Sequence, residues 1–300
     1  MKRNHKNLSM FSFFLIPVLL LACNPKQSAN PGKTIVTVSI LPQKYFVERI
    51  GGDLVDVNVM VGPGEEPHTF EPQPSQMEAL SNSQIYFTIG VEFEDAWLSR
   101  FKDANPEMKF FDTSAGIEKI AMTAEEHHDE DAGTEHEHGE LDPHIWLSPA
   151  NVKIIARSIA TALSESDPRN STVYQENLDA FLADIDNLDQ EIQTSLASIS
   201  SRQFITFHPA WGYFAHDYDL EQIAIEIGGN EPSAAELAHL INYANEHGIQ
   251  FVFAEPEFNT RAAETIASEI NGQVILISPL AEDWLNNMKN ITQSLAEVLK

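Results

Sequence analysis

Residues 167–201 read DPRNSTVYQENLDAFLADIDNLDQEIQTSLASISS, and this stretch divides the rest of the chain. Asp167 is suited to cap a helix and Pro168 to fill its first position, where an N–H would have no partner in any case. From there Tyr174, Leu178, Phe181, Ile185, Leu188, Ile192, Leu196 and Ile199 recur at steps of three or four, which is one apolar stripe on one helix. At about 1.5 Å per residue a helix over 168–200 would span roughly 50 Å, more than one small lobe needs. The spacing therefore predicts a rigid backbone that crosses two lobes. A coiled-coil dimer seam is the competing reading. Only about four heptads are present, and globular sequence flanks them, so a monomer is expected.

Outward from this helix the two flanks have the same rhythm. Before it, β-rich apolar runs at Thr34–Ile40, Val55–Val61, Gln84–Ile89 and Met108–Thr113 alternate with amphipathic stretches at Gln43–Ile50, Ser75–Ser81 and Glu92–Lys102. After it, strands are predicted at Gln203–Phe207, Leu220–Ile225, Ile249–Ala254 and Gln273–Ser278, with helices near Pro232–Glu246 and Asn259–Ile270. The expected fold class is α/β, with two parallel-sheet (β/α)4-type lobes joined by one long backbone helix. At 300 residues and 43% apolar content, the chain is long enough for two cores.

The first residues read as a secretory signal: basic Lys2, Arg3 and Lys6, then an apolar run from Met10 to Leu21 that is too short to favour a membrane span. Leu20-Leu21-Ala22-Cys23 resembles the bacterial lipobox, in which the cysteine becomes the lipid-bearing N-terminus. Cys23 is the only cysteine, so no intrachain disulfide can form. The expected organisation is a signal at 1–22, a polar tether at 23–33, an N-terminal α/β lobe at 34–166 that carries a His-rich loop at 125–140, a linking helix at 167–201 and a C-terminal α/β lobe at 202–300. The whole chain carries 18 basic and 45 acidic residues, a net charge of −27. Loss of the signal would make that about −30. Such a field repels phosphate, so nucleic acid is excluded as a partner, and it draws cations without specifying a site for them.

In open α/β sheets ligands lie beyond the carboxyl ends of the strands. Three of the 11 histidines fall in stiff, turn-rich segments beside predicted strand ends or helix starts. His68 lies in Gly62-Pro-Gly-Glu-Glu-Pro-His-Thr-Phe-Glu-Pro72, after a strand. His144 lies in Asp142-Pro-His-Ile-Trp-Leu-Ser-Pro149, ahead of a helix expected at Ala150–Ser164. His208 ends a strand and is followed by Pro209-Ala-Trp-Gly-Tyr-Phe214. Prolines lower the ordering cost of bringing three rings to one point. Three neutral imidazoles suit zinc and leave one tetrahedral position open. His216, His239 and His247 fall in or beside predicted helices without ligand-like spacing.

These motifs, together with Glu255-Pro-Glu-Phe258 and the long helix, resemble the substrate-binding lipoproteins of zinc and manganese ABC importers, the zinc-uptake or cluster A-I family. The resemblance covers almost all of the chain beyond the signal. It implies two lobes bridged by the helix, metal held between them on His68, His144 and His208, and separate permease and ATPase partners. Many relatives place a carboxylate after the last strand, where this chain has Ser278. The fourth ligand is therefore expected to be water or a carboxylate such as Glu65 or Glu66. Asp142 and Glu255 are candidates for accepting a ring N–H from a ligating histidine. Relatives of the manganese type often carry Glu where this chain has His208, and imidazole suits zinc better than manganese. Copper or nickel could outbind zinc on three bare imidazoles in vitro.

Residues 125–140 mix His127, His128, His136 and His138 with many acids and almost nothing apolar, so they can form no core. A His-rich acidic loop at this place resembles that of zinc-type members. It is expected to bind additional zinc weakly. Two other function classes compete. A zinc hydrolase would draw on His136-Glu-His138 and Asp142-Pro-His144, but the spacing is wrong, and neither a His-Glu-x-x-His helix nor a Gly-x-Ser-x-Gly elbow occurs, so no enzyme is expected. A surface adhesin, a label some related lipoproteins have carried, would be favoured by a repeat array that the sequence lacks.

Overall fold

The computed structural model describes residues 32–122, 141–226 and 232–300. The signal at 1–22, Cys23, most of the tether and the histidines of the 125–140 loop lie outside the described residues. The first half forms β1 (Thr34–Ile40), α1 (Leu41–Gly51), β2 (Val55–Val61), α2 (Pro74–Ser81), β3 (Ile85–Thr88), α3 (Glu92–Ala104) and β4 (Lys109–Asp112). Its sheet has the order β2-β1-β3-β4, and every pairing is parallel. Next come α4 (Pro149–Ser166) and α5 (Ser171–Leu196). The second half forms β5 (Gln203–Thr206), α6 (Gly212–Asp217), β6 (Glu221–Ala224), α7 (Ala234–His247), β7 (Phe251–Ala254), α8 (Arg261–Glu269), β8 (Gln273–Leu276) and α9 (Trp284–Val298). Its sheet repeats the pattern as β6-β5-β7-β8, again all parallel. Among the described residues no helix is long and apolar enough to cross a membrane.

The predicted strands all form, most of them trimmed by one or two residues at an end. The sequence reading gave no bounds for the α6 helix at His216, missed α9, and overextended the long helix. Residues 168–170 make a separate 3-10 turn, and α5 proper has 26 residues, about 39 Å. At its far end the N–H groups of Ser200 and Ser201 both turn to the Leu299 carbonyl, at 2.8 and 3.0 Å, which ties the chain to the end of α9 instead of continuing the helix.

The predicted stripe is the buried face of α5: Tyr174, Leu178, Phe181, Ile185, Leu188, Ile192 and Leu196 are all buried. This helix packs on α1 and α4 on one side and on α9 on the other. One continuous apolar core therefore runs from the first sheet through α5 to the inner face of the second. Strand periodicity separates a smaller core behind it. Phe204 and Phe253 face the main core, while their neighbours Ile205, Val252 and Ala254 point the other way onto α7 and α8. The halves are also stitched directly. The Trp146 indole N–H donates to the Pro279 carbonyl at 2.7 Å, and that of Trp284 to the Trp146 carbonyl at 2.8 Å. Lys44 of α1 pairs with Glu282 just ahead of α9.

Candidate metal centre

Two strand ends and one helix start converge between the sheets. His68 follows β2, His208 follows β5, and His144 precedes the Ile145–Leu147 3-10 turn that leads into α4. The start of α4 is set locally: Pro149 fills its first turn, and the Ser148 hydroxyl accepts the Asn151 N–H at 3.1 Å. The preceding loop is held against the second half. Tyr213 O–H donates to the Asp142 carbonyl at 2.9 Å, and Gly212 leaves room for the Asp142 side chain. A Cβ at Gly212 would lie 2.5 Å from Asp142 Oδ2.

The three rings meet. His208 Nε2 lies 3.3 Å from His68 Nε2 and 3.2 Å from His144 Nε2, and one ligand atom from each ring falls within 4.8 Å of the others. His144 and His208 are buried, while the His68 side chain keeps 29% of its surface exposed. Each Nδ1 faces its own carboxylate: Glu92 at 3.3 Å from His68, Asp142 at 2.8 Å from His144 and Glu226 at 2.8 Å from His208. A carboxylate accepts from Nδ1–H, and a neutral imidazole holding its proton there presents a lone pair at Nε2. Three lone pairs aimed at one another repel unless a cation sits among them. A tetrahedral ion with metal–nitrogen bonds of about 2.05 Å holds its nitrogens roughly 3.3 Å apart. The two closest separations match that value.

The surrounding charges act unequally on the rings. Burial works against a charged His68, yet the hydrogen bond and charge of Glu92, followed by the charges of Glu66 and Glu226, raise its pKa overall. At His208 burial dominates, and with the charges of His144 and His68 it outweighs the Glu226 hydrogen bond, so the pKa is lowered and the ring is kept neutral. For Glu92 burial opposes ionisation, but the hydrogen bond and charge of His68 win and lower its pKa.

The other predicted residues are placed as follows. Asp142 accepts from the His144 ring. Glu255 does not touch a ring: fully buried, it accepts from Thr206 Oγ1–H at 2.7 Å, the His208 backbone N–H at 3.1 Å and the Trp211 indole N–H at 3.3 Å. Burial, only partly offset by these bonds, pushes its pKa up to about 7. Its part is to hold the backbone of His208, and the ring partner is Glu226, which the sequence reading missed along with Glu92. Glu65 accepts the Gly62 N–H at 2.8 Å, and Glu66 accepts the Thr69 N–H at 3.1 Å, so both close their own loop and neither joins the three rings. Ser278 is bonded to Glu257. His216 and His247 stay apart on α6 and α7, the former 3.4 Å from Asp217 and the latter 2.9 Å from the Tyr243 carbonyl. Glu92 and Glu226 were legible in principle, because each stands within four residues of a strand's carboxyl end, where site residues collect.

Known proteins share this arrangement of chain. The family model described as the zinc-uptake complex component A, periplasmic, matches residues 36–298. The zinc-binding lipoprotein AdcA of Streptococcus pneumoniae (strain ATCC BAA-255 / R6) is 28% identical over 279 residues, which are 92% of this chain and 55% of AdcA, so the chain spans about half the length of that relative. The high-affinity zinc uptake system protein ZnuA of Bacillus subtilis (strain 168) is 31% identical over 272 residues, covering 88% of this chain and 85% of that one. A crystal structure of a ZnuA deletion mutant with zinc bound is 46% identical, superposes with a TM-score of 0.82, and covers 89% of this chain and 98% of its own. The match over nearly all of the folded chain, on top of the paired four-stranded sheets and the single backing helix, means that the chain belongs to the zinc-uptake complex component A family.

Proposed function

We propose that this protein captures zinc outside the cytoplasm on His68, His144 and His208 and delivers it to the permease and ATPase of a membrane importer. The observation that carries this is the meeting of three imidazoles whose ligand atoms lie within 4.8 Å of one another, with His208 Nε2 at tetrahedral spacing from the other two and each ring backed by an anion. Glu92, Asp142 and Glu226 fix the tautomer and orientation of the rings and add negative charge around a divalent ion without coordinating it. Water completes the shell, since Glu65 and Glu66 are engaged in their own loop. Imidazole nitrogen favours zinc over manganese. The protein binds and releases its cargo without turning it over, in keeping with relatives named for zinc binding and zinc uptake.

The wider organisation proposed is a lipid-anchored monomer held through Cys23, with lobes at 34–166 and 202–300 joined by residues 167–201. His127, His128, His136 and His138 add weaker zinc sites that gather the ion or sense its abundance. Titration of the metal-stripped protein with zinc and with manganese tests all the metal assignments. One tight zinc equivalent is expected, with manganese weaker. His68→Ala, His144→Ala and His208→Ala should each weaken that equivalent by more than the ~10–100-fold that losing an outer partner costs. A chain without residues 125–140 should keep the tight equivalent and lose only the weaker ones. Tight binding that survives two of the three alanine replacements would refute the site.

A further inference from the structure

Glu255-Pro-Glu-Phe258 reaches His208 twice. Its first residue receives the His208 backbone N–H, and its last lays an aromatic ring on the imidazole, with centroids 4.6 Å apart and planes 20° from parallel. The turn between them is closed by the Phe258 N–H, which donates to the Glu255 carbonyl at 3.1 Å. The same phenyl ring lies 6.2 Å from the His68 ring and 6.3 Å from Phe207. His144 has a different aromatic neighbour, Trp146, at 5.3 Å and tilted by 57°. Among the described residues, Phe258 is the aromatic side chain that borders candidate ligands from both sheets.

Glu226 holds the His208 ring by one in-plane bond at Nδ1. One such bond leaves the ring free to swing about it, because the terminal torsion of histidine is broad. A ring stacked on its face removes that freedom and keeps water off that side. Coordination makes an imidazole more cationic, and a cation is attracted to the face of an aromatic ring. The contact is therefore stronger with metal bound than without, and it acts on departure more than on encounter.

Resting on the three-histidine site proposed above, we propose that Phe258 is a positioning residue: it holds the His208 imidazole at the tilt that aims Nε2 at the shared ion and thereby lengthens the residence time of the metal. The test is the rate at which the zinc-loaded full chain loses zinc to excess chelator, for the parent, Phe258→Leu, Phe258→Met and Phe258→Tyr. Leu and Met keep apolar volume and remove the aromatic face, whereas Tyr restores it. The first two should release zinc about tenfold faster, equivalent to ~1.4 kcal/mol and within reach of an aromatic pair. Phe258→Tyr should stay within twofold of the parent. The cobalt-loaded Leu and Met variants should also show a shifted visible band, which a purely structural role would not move.

Two aliphatic variants keep the comparison intact if one fails to fold. Release by either folded aliphatic variant within twofold of the parent overturns the proposal, and so does a Tyr variant as fast as the aliphatic ones. His208→Ala is measured alongside. If it keeps the tight equivalent, the site itself is wrong. If it loses that equivalent while the aliphatic variants release zinc at the parental rate, only the role of Phe258 fails.

Discussion

Gly212→Ala is a one-methyl change that should damage metal binding while leaving the fold almost as it was. The added Cβ would stand 2.5 Å from Asp142 Oδ2 and 3.5 Å from Ile120 Cδ1. Ordinary contact begins near 3.4 Å, so the carboxylate oxygen has to retreat by roughly 0.9 Å. It cannot do so freely, because Asp142 is 1% exposed and its Oδ1 already accepts both the backbone N–H and the ring N–H of His144, each at 2.8 Å. A rotation that clears Oδ2 draws Oδ1 away from the ring and releases the tautomer. Loss of such an outer partner costs about 10–100-fold in metal affinity. The stability terms oppose each other: overpacking costs ~1–3 kcal/mol, and exchanging Gly for Ala in the first turn of α6 returns up to ~1 kcal/mol. Competition titration with a chromogenic chelator should show zinc affinity lowered by about 10–100-fold, with the thermal midpoint of the metal-free protein moved little. In an Asp142→Ala background the same change should have almost no further effect. Zinc affinity within twofold of the parent, or an undiminished penalty without Asp142, would refute the reasoning.

Two further outcomes follow from the described contacts. Trp284→Phe removes the indole N–H that satisfies the buried Trp146 carbonyl and opens space beside Phe46, so urea denaturation should show a loss of about 2 kcal/mol or more; a loss below about 0.5 kcal/mol would contradict the stitching role. Glu94, buried beneath the β3–α3 turn, has its pKa raised from 4.5 to about 7 by burial, only partly offset by the Ser39 hydroxyl and the N–H groups of Ile89 and Gly90. The folded state therefore holds this proton more tightly than the unfolded state. The resulting stability is fully present below about pH 4.5 and is lost as pH rises through 7, up to ~3 kcal/mol. Urea midpoints of the metal-free protein at several pH values should fall over that window, with a shallower slope in Glu94→Gln, and equal slopes would dismiss the effect.

The period of three and four residues from Tyr174 to Leu196 was enough to read the backing helix, because an apolar stripe has only one way to be buried on a helix between two sheets. The strands were legible for the same reason, as were His68, His144 and His208, whose proline-bound settings at strand ends or a helix start mark them in the chain. Helix ends were less legible. After the helix ends at Leu196 the chain is held at Ser200 and Ser201 by the Leu299 carbonyl, about a hundred residues away, and no local signal in the sequence reports that tie. The carboxylates behind the rings divided along the same line. Asp142 could be named because it is two residues from the histidine it serves. Glu92 and Glu226 pair with His68 and His208 across 24 and 18 residues, and an acidic residue in a chain with 45 of them carries no mark of its partner. Sequence determined which residue types stand at the strand ends, since that is set by local periodicity and turn chemistry. Only the tertiary structure decided which anion faces which ring, which glycine must stay small and which aromatic ring covers His208, because those are distances between segments that nothing but the folded core brings together.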